Sequence, residues 1–255
     1  MKLLFSLGLL LMGSLRGCLA QTPPPSADTP TNPPLTPAPY SAPVYRATLH
    51  HFEARRQQLA ARYKRATTPA TRAARLAEAR TLFMTALDST IFPAWEGTTW
   101  EFYGQTWEPR QGSIACGYFV TTTLHHAGLR LQRTLLAKQT SETIIKNLCT
   151  ETHIHRYRGL SRTDFVEQVR QQGPGLYVVG LDFHVAFLRV REGGAVQMVH
   201  STYLDPGTVV REAADGSEAL VSKYRVLGKI SADDALLRNW LLGRALVARG
   251  ATVKS

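Results

Sequence analysis

The sequence predicts an α+β fold in which an antiparallel sheet packs against a helix led by a cysteine, with a helical hairpin in front of it. Three observations carry this. Two arginine-rich segments between residues 45 and 92 place apolar side chains at helical spacing. The stretch "IACGYFVTTTLHHAG", residues 114–128, sets Cys116 ahead of a short apolar run. Three short β-branched runs separated by glycine, "GLYVVGLD", "HVAFLRV" and "AVQMVHSTY", then read as strands. With 255 residues and 44% apolar composition, the chain has side chain enough for a real core.

The first 20 residues carry a lysine, an apolar run and then small residues, the layout of a secretory signal and not of a spanning helix. Cleavage before Gln21 fits Cys18-Leu19-Ala20; the alternative is lipid attachment through Cys18, from a box in which Arg16 replaces a small residue. Either route exports the protein to the periplasm or beyond, and no later stretch is apolar enough to span a bilayer. Residues 21–44 are proline-rich with a single charge, an extended tether without apolar surface for a core.

In the hairpin expected over 45–92, Tyr45, Leu49, Phe52, Leu59 and Tyr63 make one stripe, and Leu76, Phe83 and Leu87 a second, with Pro69 in a first turn. The main domain occupies 93–255. Within it a helix begins at Ser161, with Asp164 three places on and Gly173 closing it, and a last helix begins at Ser231 and buries Leu236, Leu237, Trp240 and Leu241. There is no repeat, no phosphate-cradling glycine loop and no zinc-type cysteine spacing, so neither metal nor cofactor is expected. The formal net charge of +11 favours an anionic polymer as partner, and export argues against nucleic acid. Oligomeric state is not written in the sequence.

Export leaves Cys116 and Cys149 in the mature chain. A disulfide between them is one reading, but a domain of this size does not need one. Cys116 at a first helical turn sits where free N–H groups and the helix dipole favour the thiolate, and a thiolate nucleophile needs a base to hold its proton. Of eight histidines, His184 opens a strand, where a site has room; His125 and His126 lie too far along the Cys116 helix, and His50, His51, His153 and His155 belong to surface segments. If Glu192, Gly193 and Gly194 form a three-residue loop, Ala186 lies opposite His200 and His184 opposite Thr202, so His200 faces His184 diagonally and orients it. Asp182 and Asp205 are alternative orienters, and Gln111 is a candidate oxyanion donor from the loop before the cysteine.

In order and spacing, "FYGQTWEPRQGSIACGYFV", "HVAFLRV" and "MVHSTY" resemble the NlpC-type cysteine peptidases, papain-like enzymes that cut bacterial cell-wall peptides. The likeness covers residues 98–203. It implies a papain-like fold, Cys116 as nucleophile, His184 as base and His200 as orienter, with stem peptides of peptidoglycan as substrate. The sequence departs from the family at Ala115, Gly117 and Gln105, and the tyrosine lining the family's oxyanion site aligns with Glu101, with Tyr103 and Trp100 adjacent and Tyr103 the candidate. The same three residues would equally serve acyl transfer, and a non-catalytic envelope-binding or scaffold protein is the alternative from another class.

Overall fold

A computed structural model describes residues 40–247. The expected leader and the tether up to residue 39 lie outside the described residues. The first helix, α1 (Ala42–Arg65), starts inside the expected tether, because Pro43 fits a first turn whose N–H needs no partner. The second, α2 (Pro69–Ala86), is capped by Thr68, whose hydroxyl accepts from the Thr71 amide while Thr71 reaches back to the Thr68 amide.

The chain then stays helical through a wide turn, Leu87–Ile91, into α3 (Phe92–Trp95). The wide turn comes just ahead of Pro93, which can neither donate a hydrogen bond nor fit against the carbonyl four residues back. The expected border at 92/93 therefore falls within continuous helix. Leu87, Ile91, Phe92 and Trp95 are all fully buried, in the same core as Phe119 and Phe187 of the main domain.

After α3 come α4 (Cys116–His126), α5 (Arg133–Ala137), α6 (Ser141–Leu148), β1 (Ile154–Arg158) and α7 (Arg162–Gln171). Strands β2 (Gly175–Gly180), β3 (Val185–Val190), β4 (Val196–Ser201), β5 (Val209–Ala213) and β6 (Tyr224–Gly228) follow, then α8 (Asp234–Leu241). The fold is α+β, with one six-stranded sheet ordered β1-β6-β2-β3-β4-β5 and every neighbouring pair antiparallel.

Strands β2, β3 and β4 are the three that alternation and glycines predict. The other three carry arginines that hide them. Arg211 of β5 is balanced by Glu96 and Asp88, and buried Arg225 of β6 donates to the carbonyls of Leu220 and Leu160. Strand β1 forms a sheet edge, where only Ile154 is buried.

Both faces of the sheet are covered. Val178, Phe187 and Val199 pack toward α4 and the N-terminal helices, whereas Ala186, Leu188 and Met198 pack toward Phe165, Val166 and Val169 of α7. Helix α7 is capped as expected by Ser161, which accepts from the Asp164 amide at 3.0 Å. Helix α8 is not: its cap is Asp233, which accepts from the Leu236 amide at 2.7 Å, and Ser231 instead accepts from the Leu176 amide. Asp233 outranks Ser231 because its carboxylate also takes the Thr150 amide and hydroxyl.

The N-terminal helices are bolted to this domain. Arg56 Nη1 donates to the carbonyls of Trp240 and Leu241, closing the C-terminal end of α8, and Asp88 is bridged by Arg189, Arg191 and Arg211. No helix among the described residues is long and apolar enough to cross a membrane.

Candidate active site

Cys116 is the first residue of α4, and the chain ahead of it is pinned on three sides. The Ile114 carbonyl accepts from Ser201 Oγ at 2.7 Å, the Ile114 amide donates to Thr99 and the Ala115 amide donates to Gly104. A side chain on Gly117 would place its Cβ 2.3 Å from the Ala137 carbonyl oxygen. Glycine is thus required beside the cysteine because the end of α5 packs directly on the start of α4.

The β3–β4 register is the expected one. Arg191 N donates to Ala195 O at 2.9 Å, Phe187 lies opposite Val199, and Gly193 and Gly194 take φ of 85° and 87°. The paired ladder ends at Phe187 and Val199, so beyond it the two strands part. The Val185 amide, released from the ladder, points at the Cys116 sulfur.

His184 is buried at this opening, and its Nε2 lies 2.9 Å from Nδ1 of His200. His200 Nε2 in turn lies 3.1 Å from Glu212 Oε1 on β5. A carboxylate only accepts, so His200 Nε2 carries a proton. In the tautomer where this is the ring's one proton, His200 Nδ1 accepts from His184 Nε2, and the bare nitrogen of His184 is Nδ1, for which the described residues offer no hydrogen-bond partner. In that arrangement Glu212 fixes one ring and through it the other.

Cys116 and His184 line one cavity of about 710 Å³, yet no hydrogen bond joins sulfur to imidazole. Hydrogen bonds between nucleophile and base commonly tighten only around substrate. Aromatic side chains surround the cavity: Trp100, Phe102, Tyr103, Tyr118, Phe183 and Tyr203. Tyr103 is 85% exposed and stands at the mouth, a poor position for holding an oxyanion out of water.

Gln111 does not reach the cavity. It is exposed in a loop that left-handed Arg110 and Gly112 turn outward, closed by the Thr106 amide on the Ser113 carbonyl. Gln105 does line the cavity, because it bridges to Ile114, two residues before the cysteine. Asp182 is not an orienter either. It is exposed and accepts from the Lys223 amide at 2.7 Å and Ser222 Oγ at 2.9 Å, which hold its carboxyl below the usual range. Asp205 is also exposed and bonded to neither imidazole.

The electrostatics correct one expectation. Burial pushes the Cys116 thiol above its ordinary value, and the amides of Val185, Gly117 and Cys116 offset this only in part. Burial, and then His200, push His184 down to about 3. The resting pair is a neutral thiol beside a neutral imidazole, not the thiolate that the helix start alone suggests. Glu212 is held low first by the hydrogen bond from His200 and remains a carboxylate.

Cys149 is buried, and among the described residues Cys116 and Cys149 are both free thiols. Glu212 is the site residue that sequence reasoning missed, and Gln105, noted there only as a departure from the family, lines the cavity from an exposed position. Parity could have found Glu212: with His200 opposite Val210, the residue two further along β5 lies on the same face, diagonal to His200. No family model, no curated protein and no solved structure matches the chain.

Proposed function

We propose that this protein is an exported cysteine hydrolase of papain-like type, cleaving amide bonds in the stem peptides of peptidoglycan. The observation that carries the reading is the chain His184–His200–Glu212, whose first imidazole lines the same cavity as Cys116.

In this reading the thiol proton passes to His184 Nδ1 as sulfur attacks the amide carbonyl. The Cys116 amide supplies a hydrogen bond to the oxyanion, and the imidazolium is stabilised through His200 by the Glu212 carboxylate. That proton then goes to the departing amine. Water, deprotonated by the restored imidazole, attacks the thioester and frees the acid. The resemblance to NlpC-type peptidases, with the charge of +11, supports an anionic wall polymer as the place of work.

The test is digestion of purified wall material by the mature protein and its Cys116→Ala variant, with products identified by mass. New amines and carboxylates from the wild type alone are expected. Equal products from both proteins, or none from either, would reject the reading.

A further inference from the structure

The lining of the cavity has a composition that the general reaction does not explain. Lys138 follows the last residue of α5, the element that Gly117 allows to lie against the start of α4. Lys138 is exposed where it lines the cavity, and among the described residues its side chain makes no ion pair and no hydrogen bond. Among the described residues no carboxylate lines the cavity, and His184 is neutral, so Lys138 is the single charged side chain on that lining. The rest is aromatic: Phe102, Tyr103 and Phe183 are 72%, 85% and 91% exposed around the mouth. Large apolar side chains left in water around one opening mark a surface that is covered in use.

We propose that the cavity selects amides that carry an apolar group and a carboxylate together, the carboxylate held by Lys138 and the apolar group by the aromatic mouth. Lys138 is thus a specificity-determining residue. This rests on the Cys116 hydrolase chemistry and not on the stem-peptide substrate, whose residues carry carboxylates but no large apolar side chain. A lone lysine at a cavity without acids favours an anion over a cation, and because Lys138 is exposed the preference is that of a solvent-screened contact. The rings add area without charge, and they discriminate by size and not by sign.

Alkylation of Cys116 reads this without needing turnover. The probes are N-chloroacetyl-L-phenylalanine, its carboxamide, and N-chloroacetyl-L-alanine. In each, sulfur bonds to the methylene carbon, chloride leaves, and the thiol proton goes to His184 or solvent. Saturation kinetics by intact mass should rank the phenylalanine acid first, about threefold to tenfold above its carboxamide, the range of a partly exposed ion contact. Lys138→Glu should bring the acid-to-carboxamide ratio below one, and added salt should shrink the wild-type ratio. The alanine acid should lose its lag behind the phenylalanine acid in Phe102→Ala.

An acid-to-carboxamide ratio near one in wild type, or an unchanged ratio in Lys138→Glu, overturns the proposal while leaving the hydrolase intact. Equal rates for the phenylalanine and alanine acids in wild type overturn its apolar half. Failure of all three probes to modify Cys116 overturns this proposal and the hydrolase reading with it.

Discussion

Two imidazole clusters in this molecule share their electrostatics and differ in what stands beside them. His184 and His126 are both pushed far below the ordinary histidine value, to about 3 and about 4, by burial first and a neighbouring imidazole second. At His126 the Trp95 Nε1 donates to the Tyr45 oxygen, so the Tyr45 hydroxyl donates onward to His126 Nδ1 at 2.8 Å. Trp107 stacks on the ring, and Arg133 lies 3.9 Å over Trp107. The acceptor nitrogen of His126 is occupied, and the cluster ties α1 to the end of α4. At His184 the hydrogen bond comes from behind and the acceptor nitrogen is free. A depressed imidazole therefore does not mark a site; an unpartnered acceptor in a cavity shared with a nucleophile does.

The sharpest way to break this distinction is to remove each ring. His184→Ala should lower turnover by about 10³-fold, within the usual range for loss of a general base. His126→Ala should leave turnover per folded molecule unchanged. Steady-state rates normalised to Cys116 titration measure both, and a comparable loss in the two variants would erase the contrast.

A smaller effect tests the chain behind His184. Glu212→Gln keeps the shape but removes the charge that fixes the His200 tautomer. It should lower kcat by about tenfold to a hundredfold with KM unaltered, since it acts only on the imidazolium formed during attack. Rescue in Glu212→Asp, or an equal fall in kcat and rise in KM, separates positioning from plain disruption. His200→Ala should be at least as slow, and together the two should not add.

The same contrast explains what was legible in the sequence. Cys116 at a helix start, the three central strands and the odd loop that aims His200 at His184 all follow from local pattern: apolar periodicity, glycine positions and parity. What escaped depends on partners distant in sequence. Glu212 lies in "VVREA", whose Arg211 reads as loop until Glu96 and Asp88 neutralise it across 115 and 123 residues. Gln105 reached the cavity where Gln111 did not because of a single bridge to Ile114 and a left-handed turn at Arg110. The sign of the Cys116 shift also escaped, because burial is a property of the packed cavity and a helix start is a property of the chain.

Stability distinguishes the clusters less sharply. His126→Leu removes the acceptor for the Tyr45 hydroxyl and should cost about 1–3 kcal/mol, the range for a buried hydroxyl left without its partner. Urea unfolding at pH 8 measures it. Adding Tyr45→Phe should recover part of the loss, because the orphaned hydroxyl goes with it. No recovery would mean that the ring acts by packing against Trp95 and Trp107 alone.

The smallest effect is on the pH dependence of that stability. Both rings have folded values below the unfolded value of 6.5. Above pH 6.5 neither state is protonated and the rings contribute nothing to the slope. As pH falls below 6.5 the unfolded rings take protons that the folded rings refuse, so stability declines, by about 1.4 kcal/mol per pH unit for each ring fully engaged. The decline ends near pH 4 for His126 and near pH 3 for His184. The carboxylates held low in the fold, Glu53, Glu142 and Glu212 among them, start from an unfolded value of 4.5 and add their own losses only at lower pH. The window from 4.5 to 6.5 therefore isolates the histidines. In it, His126→Leu should have a slope shallower than wild type by up to one proton, and a double variant with His184→Ala shallower by up to two. An unchanged slope in His126→Leu would show that this ring takes its proton in the folded state, and the electrostatic likeness between the two clusters would fall.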